Sequence, residues 1–152
     1  MTKNMSKSRL AIALSHLEGF YEPKVRQEQY LMDSEIGASV LWNACLLGDI
    51  EGKVIADLGC GTGILGIGAL LLGANKVIFV DSDKKALETA KNNISKVKSE
   101  DYSLGDAEFI CRDIGELELK ADVVLQNPPF GTKVKHNDIF FLEMALKTAP
   151  VV

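Results

Sequence analysis

Apolar positions recur at helical spacing in the first third of the chain, then give way to short continuous runs. Leu10, Leu14 and Leu17 share one face of a helix predicted over 5–18. A second helix is predicted from Asp33 or Ser34, either of which can cap it, to about Leu47. Its inward face is expected to carry Ile36, Val40, Leu41 and Ala44. Between the two lies GFYEPKVRQEQYLMD (19–33), a connector carrying aromatics and charge. From residue 53 the period changes. KVIADLG (53–59) and ADVVLQN (121–127) read as buried strands, and KVIFVD (76–81) and AEFICRD (107–113) as the second and third strands between them. GILGIGALLLGA (63–74), DKKALETAKNNISKV (83–97) and NDIFFLEMALKTA (137–149) read as helices, the second with Ala86, Leu87, Ala90 and Ile94 inward. Strands alternating with helices imply a doubly wound α/β fold, a parallel sheet covered on both faces. One domain is expected over 1–152, with a helical part at 1–50 and a cofactor-binding βαβ part at 51–152.

The bulk numbers change this picture little. The chain has 152 residues, 47% hydrophobic and 25% charged, enough for one domain with a real core. A net charge of −4 and a pI near 5.2 argue against a protein that coats nucleic acid nonspecifically. A local basic patch is compatible with it, drawn from Lys3, Lys7, Arg9, Lys24 and Arg26 or from Lys133 and Lys135. Cys45, Cys60 and Cys111 are scattered and the only histidines are His16 and His136, so neither a zinc site nor a disulfide framework is expected. Buried, reduced thiols in a cytoplasmic protein fit best. MTKNMSKSRL lacks a following apolar stretch and is not read as a secretory signal. The longest apolar run is too short to span a bilayer.

The chemistry concentrates in DLGCGTGIL (57–65), between the first strand and the helix after it. Gly59, Gly61 and Gly63 allow a sharp turn and a close backbone approach to a ligand. The helix behind them offers free N–H groups. Asp81 ends the second strand, 24 residues past Asp57, where an acid can accept both ribose hydroxyls of a nucleoside cofactor. Asp113 follows the third strand. All three acids fall at carboxyl ends of strands, where open α/β sheets bind ligands. The glycine spacing is DxGxGxG and not GxGxxG. A carboxylate beside a pyrophosphate would be repelled, whereas beside an ammonium or sulfonium it would be attracted. S-adenosylmethionine is favoured over NAD on this ground.

LQNPPFGTK (125–133) closes the fourth strand. Proline cannot donate to a sheet ladder and also restricts the residue before it. The strand must therefore end in a stiff loop with Asn127 at its tip.

With these residues in view, the sequence resembles class I S-adenosylmethionine-dependent methyltransferases, whose fold is Rossmann-like. DLGCGTGIL resembles that family's first motif, FVDSD its second, CRDI its third and NPPF its fourth. The fourth implies methylation of a planar NH₂ group: adenine N6, guanine N2 or a glutamine amide. EQY (28–30) resembles the motif that closes over the cofactor in the N6-adenine branch. Together they look most like the archaeal and eukaryotic enzymes that methylate one adenosine of small-subunit ribosomal RNA, over residues 5–148.

The resemblance implies roles by residue. Asn127 and the Pro128 carbonyl would accept the hydrogens of the target amine, Pro129 would help fix the loop, and Phe130 would stack on an extruded base. Gly59, Gly61 and Gly63 would approach the methionine part, with Asp57 facing its ammonium. Asp81 would hold the ribose, Asp113 the adenine amino group and Ile114 the adenine ring. Gln29 and Tyr30 would cover the cofactor. RNA is the expected partner, with no membrane, and a small zinc-binding activator protein that adds to the sheet is a further expectation. DNA adenine, a protein glutamine amide, or an inactive cofactor-binding scaffold are the alternatives. Only four strands and the start of a fifth at 149–152 can be counted. The C-terminal strands are thus expected to be missing, leaving a bare edge beyond the fourth.

Overall fold

The computed structural model describes residues 4–20, 31–128 and 137–152. Two helices come first, α1 (Lys7–Ser15) and α2 (Ser34–Leu46). Then follow β1 (Val54–Leu58), α3 (Ile64–Leu71), β2 (Lys76–Asp81), α4 (Lys84–Lys98), β3 (Asp106–Cys111), a 3-10 turn (Ile114–Glu116), β4 (Val123–Gln126) and α5 (Asn137–Thr148). Sequence-readable caps set several helix starts. Ser6 accepts from Arg9 N, Asp33 from Glu35 N and Ile36 N, and Asp83 from Lys85 N.

The strands form one parallel sheet in the order β3-β2-β1-β4. The central strands are buried on both faces, which explains their unbroken apolar runs. Ile55, Val77, Phe79, Val123 and Leu125 face a core shared with α1, α2, α3 and α4. Ala56, Leu58, Ile78, Val80 and Val124 face the opposite core, closed by Ile114 and by Ala145 and Ala149. α3 lies close on the sheet because Gly66 has no side chain: a methyl there would run into the Phe79 ring and Val77.

Three expectations need correction. The inward face of α2 is Gly37, Ala38 and Leu41, while Ile36 and Val40 are exposed. Small residues let α2 approach its neighbours, Gly37 beside Leu14 and Ile64 and Leu41 against Gly68, so the larger aliphatics turn outward. Of the three free thiols only Cys60 is buried. The edge beyond β4 is also partly occupied: Val151 bridges Val123 in parallel, and Val124 N donates to Val151 O at 2.9 Å.

Candidate active site

The sheet register lines up the carboxyl ends of all four strands. Leu58 pairs with Val80 on one side and Gln126 on the other, and Val80 pairs with Ile110. The loops after β1, β2, β3 and β4 therefore leave the sheet side by side. Gly59 and Asn127 are the first residues beyond paired strand ends.

The turn after β1 needs glycine. Gly59, Gly61 and Gly63 have φ of 66°, 54° and 90°, where a side chain is strained. Cys60 N donates to Val80 O at 2.9 Å, which ties the turn to β2. Gly61 N donates to one Asp81 carboxylate oxygen at 2.8 Å, and Asp83 N donates to the other at 2.8 Å. With the Ser82 N–H also bonded to it, the carboxylate still has room to accept from a further donor.

Asp57 is 2% exposed and accepts from Gly66 N at 2.9 Å. Burial pushes its carboxyl up to about 7, against the pull of the Gly66 N–H, and Asp81 raises it further. Burial also raises Asp81, offset by the Asp83 and Gly61 N–H groups. The Cys60 thiol is held well up by burial and then by the two nearby acids. Among the described residues, two acids thus flank the glycine turn, and once ionised they would attract a cation and repel a pyrophosphate.

Asp113 caps the 3-10 turn, accepting from Gly115 N at 2.8 Å, and Ile114 is buried beneath it. Asn127 is exposed just past β4, and Pro128 is half-buried. Gln29, Tyr30, Pro129 and Phe130 lie outside the described residues, as do Lys3, Lys24, Arg26, Lys133 and Lys135. Among the described residues no cluster of histidine, cysteine and acids could hold a metal ion, and no helix is long and apolar enough to cross a membrane.

The structure adds residues that pattern reading passed over. Aromatic rings stand where side chains at the loop glycines would begin. Phe141 lies on Gly59 (2.8 Å from the Cβ position), Phe20 on Gly61 (2.8 Å) and Phe140 on Gly115 (2.9 Å). Gln126, at the end of β4, carries a buried Oε1 with no hydrogen-bond partner among the described residues. Thr62 and Asn93 are buried polar residues joined by a hydrogen bond of 3.0 Å. A polar residue inside an apolar helical stripe, as Asn93 is among Ala90, Ile94 and Val97, was the one available signal.

A glycine turn held between buried Asp57 and half-buried Asp81, at the carboxyl ends of a parallel sheet, suits a nucleoside cofactor that carries positive charge. The sequence profile described as "Methyltransferase small domain" matches residues 33–150, and the chain belongs to that family. The chain is 35% identical to the rRNA N(6)-adenosine-methyltransferase METTL5 of Danio rerio, over 95% of this chain and 70% of that protein. It superposes on the crystal structure of a candidate RNA methyltransferase from Pyrococcus horikoshii with a TM-score of 0.88 and 46% identity, covering 95% of this chain and 71% of that one. It also matches the magnesium protoporphyrin IX methyltransferase of Synechocystis, solved with bound SAH. There the TM-score is 0.53 and the identity 27%, over 60% of this chain and 40% of that one.

Proposed function

We propose that this protein transfers a methyl group from S-adenosylmethionine to the N6 amine of an adenosine in RNA, with ribosomal RNA as the substrate class. The observation that carries the reading is the register that sets Asn127, past β4, beside the glycine turn past β1. The similarity to the Danio rerio enzyme supports the RNA adenosine assignment.

The residues present fit the cofactor. Once ionised, Asp57 and Asp81 make the glycine turn negative, and the room that the Asp81 carboxylate keeps for a further donor suits a ribose hydroxyl. Asp113 and Ile114 take the adenine end, and Gly59, Gly61 and Gly63 the methionine end, with Gln29 and Tyr30 as the cover. When bound, the cofactor supplies an electrophilic methyl on a sulfonium. An exocyclic amine conjugated into its ring is a poor nucleophile. Asn127, through its side-chain oxygen, and Pro128, through its carbonyl, accept the two amine hydrogens and draw the nitrogen toward tetrahedral geometry. So held, the nitrogen would present its lone pair to the methyl that the bound cofactor supplies, and the methylated nitrogen would give up its extra proton to solvent. No strong general base is required. Pro128 and Pro129 fix the acceptors in advance, which removes ordering cost from the transition state. Phe130 stacks on the extruded adenine, worth about 1–3 kcal/mol.

A small zinc-binding activator that adds to the sheet belongs to the same reading. Val151 reaches the edge beyond β4, while β3 lies at the other end of the sheet order with half its residues exposed, which supports the outer edge of β3 as its seat. The reaction is read as cytoplasmic, in keeping with a ribosomal substrate.

Asn127→Ala tests the reading. Cofactor titration by calorimetry should be unchanged, while methyl transfer to ribosomal RNA falls about 10²–10³-fold, the cost of removing one preorganised polar contact to a transition state. Full turnover by the variant would refute the role of Asn127. Full turnover on DNA or a glutamine-bearing peptide, with none on RNA, would refute the substrate class.

A further inference from the structure

Asn93 on α4 is fully buried, and its amide is saturated. Its Oδ1 accepts from Glu18 N at 2.8 Å, and its Nδ2 donates to Glu18 O and to Thr62 O, both at 3.0 Å. Only one orientation of the amide satisfies one donor and two acceptors, so the assignment of its oxygen is unambiguous. One side chain therefore pins two backbones that are far apart in sequence: the segment after α1 and the glycine turn. Lys96, on the next turn of α4, strengthens the same attachment by an ion pair to Glu18 (3.7 Å) and a hydrogen bond to His16 O (3.5 Å).

What this attachment positions is Phe20. Two residues past Glu18, its ring lies against Gly61, whose N–H is held by Asp81. Asn93, Glu18, Phe20, Gly61, Thr62 and Asp81 thus form one continuous set of contacts around the glycine turn. A leucine would fill the stripe between Ala90, Ile94 and Val97 but would leave the Thr62 carbonyl and both Glu18 peptide groups without this partner, so the amide serves the two backbones it joins and not the packing of α4.

We propose that Asn93 is a positioning residue of the cofactor site: it fixes the Thr62 peptide and seats Phe20 over Gly61 as one wall of the pocket. The inference rests on the S-adenosylmethionine reading. A ligand that needs the wall in place binds with an apparent affinity reduced by the fraction of molecules in which it is docked. Asn93 sets that fraction without touching the ligand.

Asn93→Asp is the informative variant. It keeps the acceptor for Glu18 N but loses both donors, and once ionised it sets a carboxylate against two carbonyl oxygens. Protonated, it regains one donor. Calorimetric titration with S-adenosylmethionine should show about a tenfold or greater loss relative to the native chain near pH 8. The ratio of the two dissociation constants should shrink toward about pH 6. His16, Glu18 and Lys96 on one side, and Asp57, Cys60 and Asp81 on the other, are common to both chains and cancel in the ratio. Phe20→Ala, whose folding does not depend on the buried amide, should weaken binding with little change in melting temperature without ligand. A folded Asn93→Asp with native affinity throughout, or a ratio constant with pH, would overturn the proposal. So would equal or tighter binding by Phe20→Ala. A native chain that binds no S-adenosylmethionine would instead remove the reading on which the proposal stands.

Discussion

If Asp57 faces the ammonium of the cofactor, as proposed above, it makes cofactor affinity a function of pH, and the direction can be worked out. Its carboxyl is raised from 3.8 to about 7 in the ligand-free fold, chiefly by burial. Each pH unit of such a rise is worth about 1.4 kcal/mol, so ionising Asp57 in the empty site costs about 4 kcal/mol. For folding, the stability held by the protonated group is fully present below 3.8 and is lost as pH rises to about 7. For binding, the sign reverses. A cationic ligand prefers the ionised carboxylate, so below about pH 7 binding must expel a proton. Affinity for S-adenosylmethionine should then climb about tenfold per pH unit up to about pH 7 and level off above it. Asp57→Asn is the control. The amide can still accept from Gly66 N, but the charge and its titration are gone. Its affinity at about pH 8 should be roughly 10–100-fold weaker, the worth of a hydrogen bond to a charged group. Its pH slope should flatten, the remainder reporting Asp81, which burial also raises. Without ligand it should melt higher than the native chain at about pH 8. Calorimetry across pH, with circular-dichroism melts alongside, reads all three. A flat native profile, or an unchanged slope in Asp57→Asn, would refute the reasoning.

Two further perturbations test the structure around the site. Gln126→Leu removes a buried acceptor that has no partner among the described residues, and so should stabilise the ligand-free protein by about 1–3 kcal/mol, a rise of several degrees in Tm. An unchanged or lower Tm would mean that Oε1 is satisfied in solution. Gly66→Ala drives a methyl into Phe79 and Val77 and pushes α3 off the sheet, dragging with it the N–H that Asp57 accepts. It should lower the urea midpoint by about 1–3 kcal/mol of stability, with the slope unchanged; a native midpoint would show that the approach of α3 is looser than described.

Much of this was legible before any coordinates, and the reason differs by element. β2 is found at the predicted residues, because a strand buried on both faces must be apolar throughout and Asp81 ends it. The stripe of α4 was equally plain, since its outer face is almost wholly charged or polar. α2 misled because periodicity weighs large aliphatics, whereas close packing selected Gly37 and Ala38. The glycine turn and its acids could be read because each needs its residue type locally. Asn93, Phe20, Phe141 and Gln126 could not, because their roles come from partners far away in sequence, which one chain's pattern does not encode.

The sheet order also dates the assembly of the site. β1 and β2 are joined through α3, a short closure. β4 reaches β1 only after the whole β2–β3 half has intervened, and Val54 N meets the Asp122 carboxylate across 68 residues. Closing a loop roughly three times longer costs about 1 kcal/mol more chain entropy and is slower. The β1–β2 half, which carries the glycine turn and Asp81, is therefore closed by local pairings, whereas Asn127 joins it only through the longer closure that brings β4 to β1.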